Sequence, residues 1–169
     1  LYGTHRLRRV YYSAFSPIPD AARALPLIAP PTVREHRLYQ ADWLMRFYGF
    51  THDEIVPPNQ GRQAGMLALD MDPKLAWALA HRERFPVNLN TAPRELMLRV
   101  PGFGVQTVDR LLAARRVRRL RHADLARLHV PLKKVLPFVE AADYRPGRAL
   151  DATDLAAQLA PPPLQRSLF

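Results

Sequence analysis

Residues 100–116 set two glycines beside a run of cations, a combination suited to holding a phosphate. Val100-Pro101-Gly102-Phe103-Gly104 reads as a tight bend between two helices. Glycine permits positive φ and lets another molecule approach the backbone closely. The helix predicted after the bend, with Val105, Val108, Leu111 and Leu112 on its apolar side, starts with amides that have no partner inside the helix. The N–H groups around Gly102, Phe103, Gly104, Val105, Gln106 and Thr107 then form a nest, with the positive end of the helix dipole behind it. Such a nest takes an anionic oxygen without regard to what the anion is attached to. Arg110, Arg115, Arg116 and Arg118 would add cations whose planar forks match phosphate oxygens.

Several elements must hold this bend in place. A short helix over 92–99, capped by Thr91 and tolerating Pro93 in its first turn, would lead into it with Leu96 and Val100 inward. A second, similar unit follows. Asp124-Leu125-Ala126-Arg127-Leu128 reads as a short helix, Val130-Pro131-Leu132 takes the bend, and Lys133 and Lys134 open the next helix as charges. That copy lacks both glycines, and Pro137 is expected to kink or end its last helix. Upstream, a helix is predicted over 33–49, capped by Thr32 with Glu35 as capping-box partner and ended by Gly49. Its apolar face includes Leu38, Ala41, Trp43, Leu44, Phe47 and Tyr48, with His36 and Asp42 as polar surface. Another helix starts at Asp72-Pro73 and runs to about Arg84. Residues 6–16 look like a strand, 17–32 an extended Pro-rich connector, and 57–61 a turn cluster.

The 169 residues carry 17 prolines, no cysteine and a net charge of +10. Residues 81–134 alone hold 13 Lys/Arg against 4 Asp/Glu, so nearly all the excess sits in one window, and 11 of its 13 cations are Arg. A block of this kind repels itself unless a polyanion neutralises it, or it is simply a solvated helix face. The absence of cysteine excludes disulfides, thiolate metal sites and a Cys nucleophile in this chain. No apolar run approaches the ~20 residues a membrane span needs. Neither a nucleophile–base set nor a metal-ligand spacing is visible.

Residues 87–115 resemble the helix–hairpin–helix motif of competence DNA-uptake proteins and repair enzymes. The prefix Asn88-Leu89-Asn90-Thr91-Ala92 and the run Val100-Pro101-Gly102-Phe103-Gly104 carry that resemblance. It implies sequence-nonspecific DNA binding, with a helical protein–protein adaptor of basic surface as the alternative. Three further runs, Arg8 to Pro19, Arg34 to Leu44 and Asp72 to Trp77, resemble the DNA modification/repair radical SAM protein family, whose members are bacterial and are expected in the cytoplasm. This resemblance implies that the chain is a C-terminal portion, with residues 8–16 a late strand of an upstream barrel. The parent protein would carry a [4Fe-4S] cluster and S-adenosylmethionine and be an enzyme acting on DNA, though not through this chain alone. A uracil-DNA-glycosylase-like protein is an expected partner. At the far end, Gln165-Arg166-Ser167-Leu168-Phe169 resembles the pentapeptide that docks on the bacterial sliding clamp, through Gln165, Leu168 and Phe169.

The expected architecture is therefore mainly α. A terminal strand and connector (1–32) and a helical linker region (33–86) lead to a helix–hairpin–helix domain (87–145), followed by a flexible Pro-rich tail (146–169).

Overall fold

The computed structural model describes residues 10–13, 15–18, 28–56 and 65–160. The turn cluster at 57–61 and the peptide containing Gln165, Leu168 and Phe169 lie outside them.

Among the described residues the chain is mainly helical, with one small parallel sheet. Helix α1 (Thr32–Phe47) starts one residue early: Pro31 occupies the cap position without a side-chain bond, so Thr32 is not the cap. The Arg34 amide donates back to the Pro31 carbonyl at 2.9 Å, which closes the first turn. The helix ends where expected, at Gly49 with φ +68°, and the amides of Tyr48 and Phe50 both return to the Leu44 carbonyl. A short α2 (His52–Ile55) follows, closed by the reciprocal Thr51–Glu54 capping box. Helix α3 (Pro73–Ala80) begins as predicted, the Asp72 carboxylate accepting from the Leu75 amide at 2.9 Å. It stops at Ala80, short of Arg84, and a single 3-10 turn (Arg82–Arg84) completes the segment.

Of the predicted strand at 6–16, residues 6–9 and 14 lie outside the described residues, and residues 10–13 and 15–16 pair with no described strand of this chain. Tyr12 instead exchanges backbone for side chain with α1, its amide donating to the Tyr39 hydroxyl and its carbonyl accepting from it, both at 3.1 Å.

The remainder is two bends of similar build, closed by a sheet. Strand β1 (Val87–Asn88) leads to α4 (Arg94–Arg99), the first bend and α5 (Val105–Arg115). Then come α6 (His122–Arg127), the second bend, α7 (Leu132–Val135), a 3-10 turn containing Pro137, and β2 (Val139–Glu140). The strands pair in parallel, Val87 with Val139 and Asn88 with Glu140. Thr91 does not cap α4; Pro93 precedes it without a side-chain bond. Asn90 has the larger task. Its amide side chain donates to the Leu120 carbonyl at 3.1 Å and accepts from the Leu120 amide at 2.7 Å, fixing the link between the two units.

One hydrophobic cluster joins everything. It runs from Ala41 and Leu44 through Leu75 and Trp77 to Met97, Val100, Val108, Leu111, Val135 and Phe138. Residues 33–56 and 65–86 are thus packed into the same core as the bends. The cluster also takes in Leu150 and Leu155, the latter on α8 (Leu155–Leu159). Arg82 donates to the carbonyls of Leu150 and Ala152. The segment 146–160, expected to be flexible, is folded against the body because its leucines find room there.

Candidate nucleic-acid interface

The first bend turns on Gly102, at φ +88°. A Cβ there would stand 2.9 Å from Val135 Cγ2 and 3.0 Å from Pro131 Cγ. This glycine therefore serves the contact between the two bends. Phe103 is also inward-facing: its ring is 2% exposed and its amide already donates to the Val100 carbonyl at 3.2 Å. Neither its side chain nor its N–H reaches outward, contrary to expectation.

Gly104 differs from Gly102. Its φ of −95° suits any residue, and a Cβ would meet only the Tyr48 hydroxyl, at 3.9 Å. The fold does not require a glycine there. It caps α5 with no side chain to accept from the helix. Among the described residues, no carbonyl accepts from the amides of Gly104, Val105, Gln106 or Thr107; the first amide of the ladder to find one is Val108, which donates to the Gly104 carbonyl. Four donors thus lie at the positive end of an eleven-residue helix. The Val105 side chain packs against the core while Gln106 is exposed. Arg110, also exposed, lies one turn beyond Gln106 on the same face.

The second bend repeats the path without the glycines. His129, at φ +54°, takes the left-handed position that Gly102 takes in the first, and its amide donates to the Ala126 carbonyl. Pro131 caps α7 and has no N–H, and the Lys134 amide donates back to the Pro131 carbonyl at 2.9 Å. Among positions 131–134, which match Gly104 to Thr107, the Leu132 and Lys133 amides are left over, on a helix of four residues.

The cations separate into three groups. Arg115 points inward, its Nη1 donating to the carbonyls of Ala92 (2.7 Å) and Leu89 (3.3 Å). Arg118 forms a two-pronged pair with the Asp124 carboxylate, which also accepts from the Arg121 amide at 2.9 Å. The Arg118 guanidinium holds the Asp124 carboxyl down at about 2. Lys134 is paired with Asp72 across to the cap of α3. Arg115, Arg118 and Lys134 therefore have structural duties that their positions in a basic run did not reveal. Arg116 is exposed but stands at the far end of α5, about 16 Å from the bend at 1.5 Å per residue. Lys133 is exposed beside the bends, on the turn whose neighbours Pro131 and Val135 touch Gly102. The nest, Arg110 and Lys133 are what the structure brings together from the expected set.

Two residues escaped the sequence reading. Lys74 is 7% exposed, donates to the Phe103 carbonyl at 2.6 Å and lies 4.6 Å over the Tyr48 ring. Burial lowers its ammonium to about 7, with Lys134 and Arg99 adding to the effect and Asp72 opposing it. Tyr48 stands beside Gly104. Nothing in a lone Lys after Asp-Pro signals such burial.

No family model, curated protein or solved structure matches this chain. Among the described residues no three His, Asp or Glu side chains are grouped to hold a metal, and no helix is long and apolar enough to cross a membrane. The chain has no cysteine, so it supplies no thiolate to an iron–sulfur cluster.

Proposed function

We propose that the chain binds the phosphate backbone of DNA without sequence preference, through a helix–hairpin–helix whose contact point is the start of α5. The observation that carries this reading is the row of amides from Gly104 to Thr107 without internal acceptors, behind a glycine the fold does not need. An empty Cβ position in front of unclaimed donors leaves room for an outside oxygen. Arg110, one turn beyond Gln106, and Lys133, on the turn that touches Gly102, add charge. The parallel sheet and the Asn90–Leu120 clamp keep the bends in fixed relation. On the family resemblance, the module would deliver an upstream DNA-modifying enzyme to its substrate, and the sliding clamp and a uracil-DNA-glycosylase-like protein remain proposed partners.

Gly104→Asp tests the contact point. The backbone at Gly104 suits aspartate, whose carboxylate would accept from the same amides as an N-cap. Thermal stability should hold or rise slightly, while affinity for duplexes of unrelated sequence falls at least about tenfold as the nest is filled and the phosphate repelled. Unchanged affinity would move the site elsewhere.

One observation favours the second reading, an adaptor for an acidic protein. Val117 is 87% exposed among exposed Arg116, Arg119 and Arg121, away from the bend. On that reading Gly104→Asp leaves partner binding intact.

A further inference from the structure

We propose that the groove beside Gly104 receives an unpaired nucleobase from the strand whose phosphate sits on the first bend. The inference rests on the reading above. It adds a second element of recognition, base stacking, and with it a preference for single-stranded or locally opened DNA.

The groove measures about 470 Å³ and is lined by Tyr39, Trp43, Tyr48, Asp72, Lys74 and Lys134 among others. That is within the range of small-ligand sites, roughly 300–1,000 Å³. Two of its lining residues touch the bend: the Tyr48 hydroxyl is the nearest group to the Gly104 Cβ position, at 3.9 Å, and Lys74 donates to the Phe103 carbonyl. Trp43 supplies the decisive observation. Its place in the apolar pattern of α1 predicted a core residue, yet it is 57% exposed, packed edge-on against Phe47 at 5.3 Å and facing the groove. The buried residues of α1 are instead Arg37, Ala41, Asp42 and Leu44, so Asp42 is not the surface residue expected, with Leu38 and Met45 alongside.

The lining matches the parts of a base. Indole and phenol rings offer flat faces on which any base stacks. The Asp72–Lys134 pair offers an acceptor and donors for a polar edge. A purely apolar occupant would leave that pair facing hydrocarbon, which is costly. A base still stacked in a duplex cannot turn into a side groove, so the site selects strands whose bases are free.

The experiment compares an oligo(dT) strand with an abasic strand of equal length, using the full chain and fluorescence anisotropy. Both strands carry phosphates; only one carries bases. Oligo(dT) is expected to bind about tenfold more tightly, the effect of one stacked base. Trp43→Ala should abolish that advantage and leave abasic-strand binding unchanged, and Trp43→Phe should restore most of it. Far-ultraviolet circular dichroism of each variant verifies folding. Equal affinity for the two strands, or an advantage that survives Trp43→Ala, overturns the base site while leaving the phosphate contact standing. Failure of both strands and of duplex DNA to bind overturns the phosphate contact and the base site together.

Discussion

At the scale of single residues, the two glycines of one bend do different work. Gly102 needs both its left-handed backbone and its missing side chain, whereas Gly104 needs neither for folding. Gly102→Ala should therefore cost about 3 kcal/mol, combining left-handed strain with the push on Val135 and Pro131. Gly104→Ala should cost about 1 kcal/mol or less, as a weaker cap. Urea unfolding midpoints of the two variants check this, and equal losses would contradict the division of labour. The sequence made the bend legible through its glycines, but two identical residues carry no mark of which faces inward. The same holds for the cations. Arg115 and Arg116 are neighbours in one run, yet one serves the carbonyls of Leu89 and Ala92 and the other faces solvent. The difference is set by chain more than twenty residues away.

At the scale of elements, short helices survive because side chains replace what length would supply. Helix α6 has six residues, and its start is held by Asp124, which binds the Arg121 amide and the Arg118 fork. Asp124 is 6% exposed and its carboxyl sits at about 2, below its ordinary 3.8. The folded state thus releases this proton more readily than the unfolded chain. The resulting stabilisation is complete above about pH 4 and drains away as pH falls through about 2. Thermal midpoints across pH 2–7 should show wild type losing more stability toward acid than Asp124→Asn, which starts about 1–2 kcal/mol lower near neutrality. A parallel decline of the two proteins would mean that other carboxylates govern the acid limb. Helix positions along 73–80, 94–99 and 105–115 were readable from prolines, glycines and apolar spacing, with a correctly read side-chain cap at Asp72 alone. The path of residues 10–13 was not, because an aromatic run also suits a segment lying on a helix, as Tyr12 does on Tyr39.

At the scale of the whole molecule, net charge overstates the contact. The chain carries +10, but Arg115, Arg118 and Lys134 are engaged internally, and Arg116 stands at the other end of α5. Backbone amides release no counterions, so Arg110 and Lys133 should dominate the salt response. The logarithm of duplex affinity should then fall with the logarithm of salt with a slope of about −2. A slope of about −5 or steeper would show that the exposed arginines after α5 also lie on the polymer. The single core, from Ala41 to Leu155, was invisible in a reading that divided the chain at composition changes. Those boundaries follow local residue types, whereas Leu75, Phe138 and Leu155 meet only after folding.

The unequal bends have a directional consequence. One seat offers four peptide nitrogens; its counterpart, built on His129 and Pro131, offers two and a lone ammonium. On the proposed reading, a polymer with distinct 5′ and 3′ ends would meet firm purchase at one side and a loose electrostatic rail at the other. Its two possible orientations would then be unequal in energy, and a strand laid on this surface would have a preferred heading.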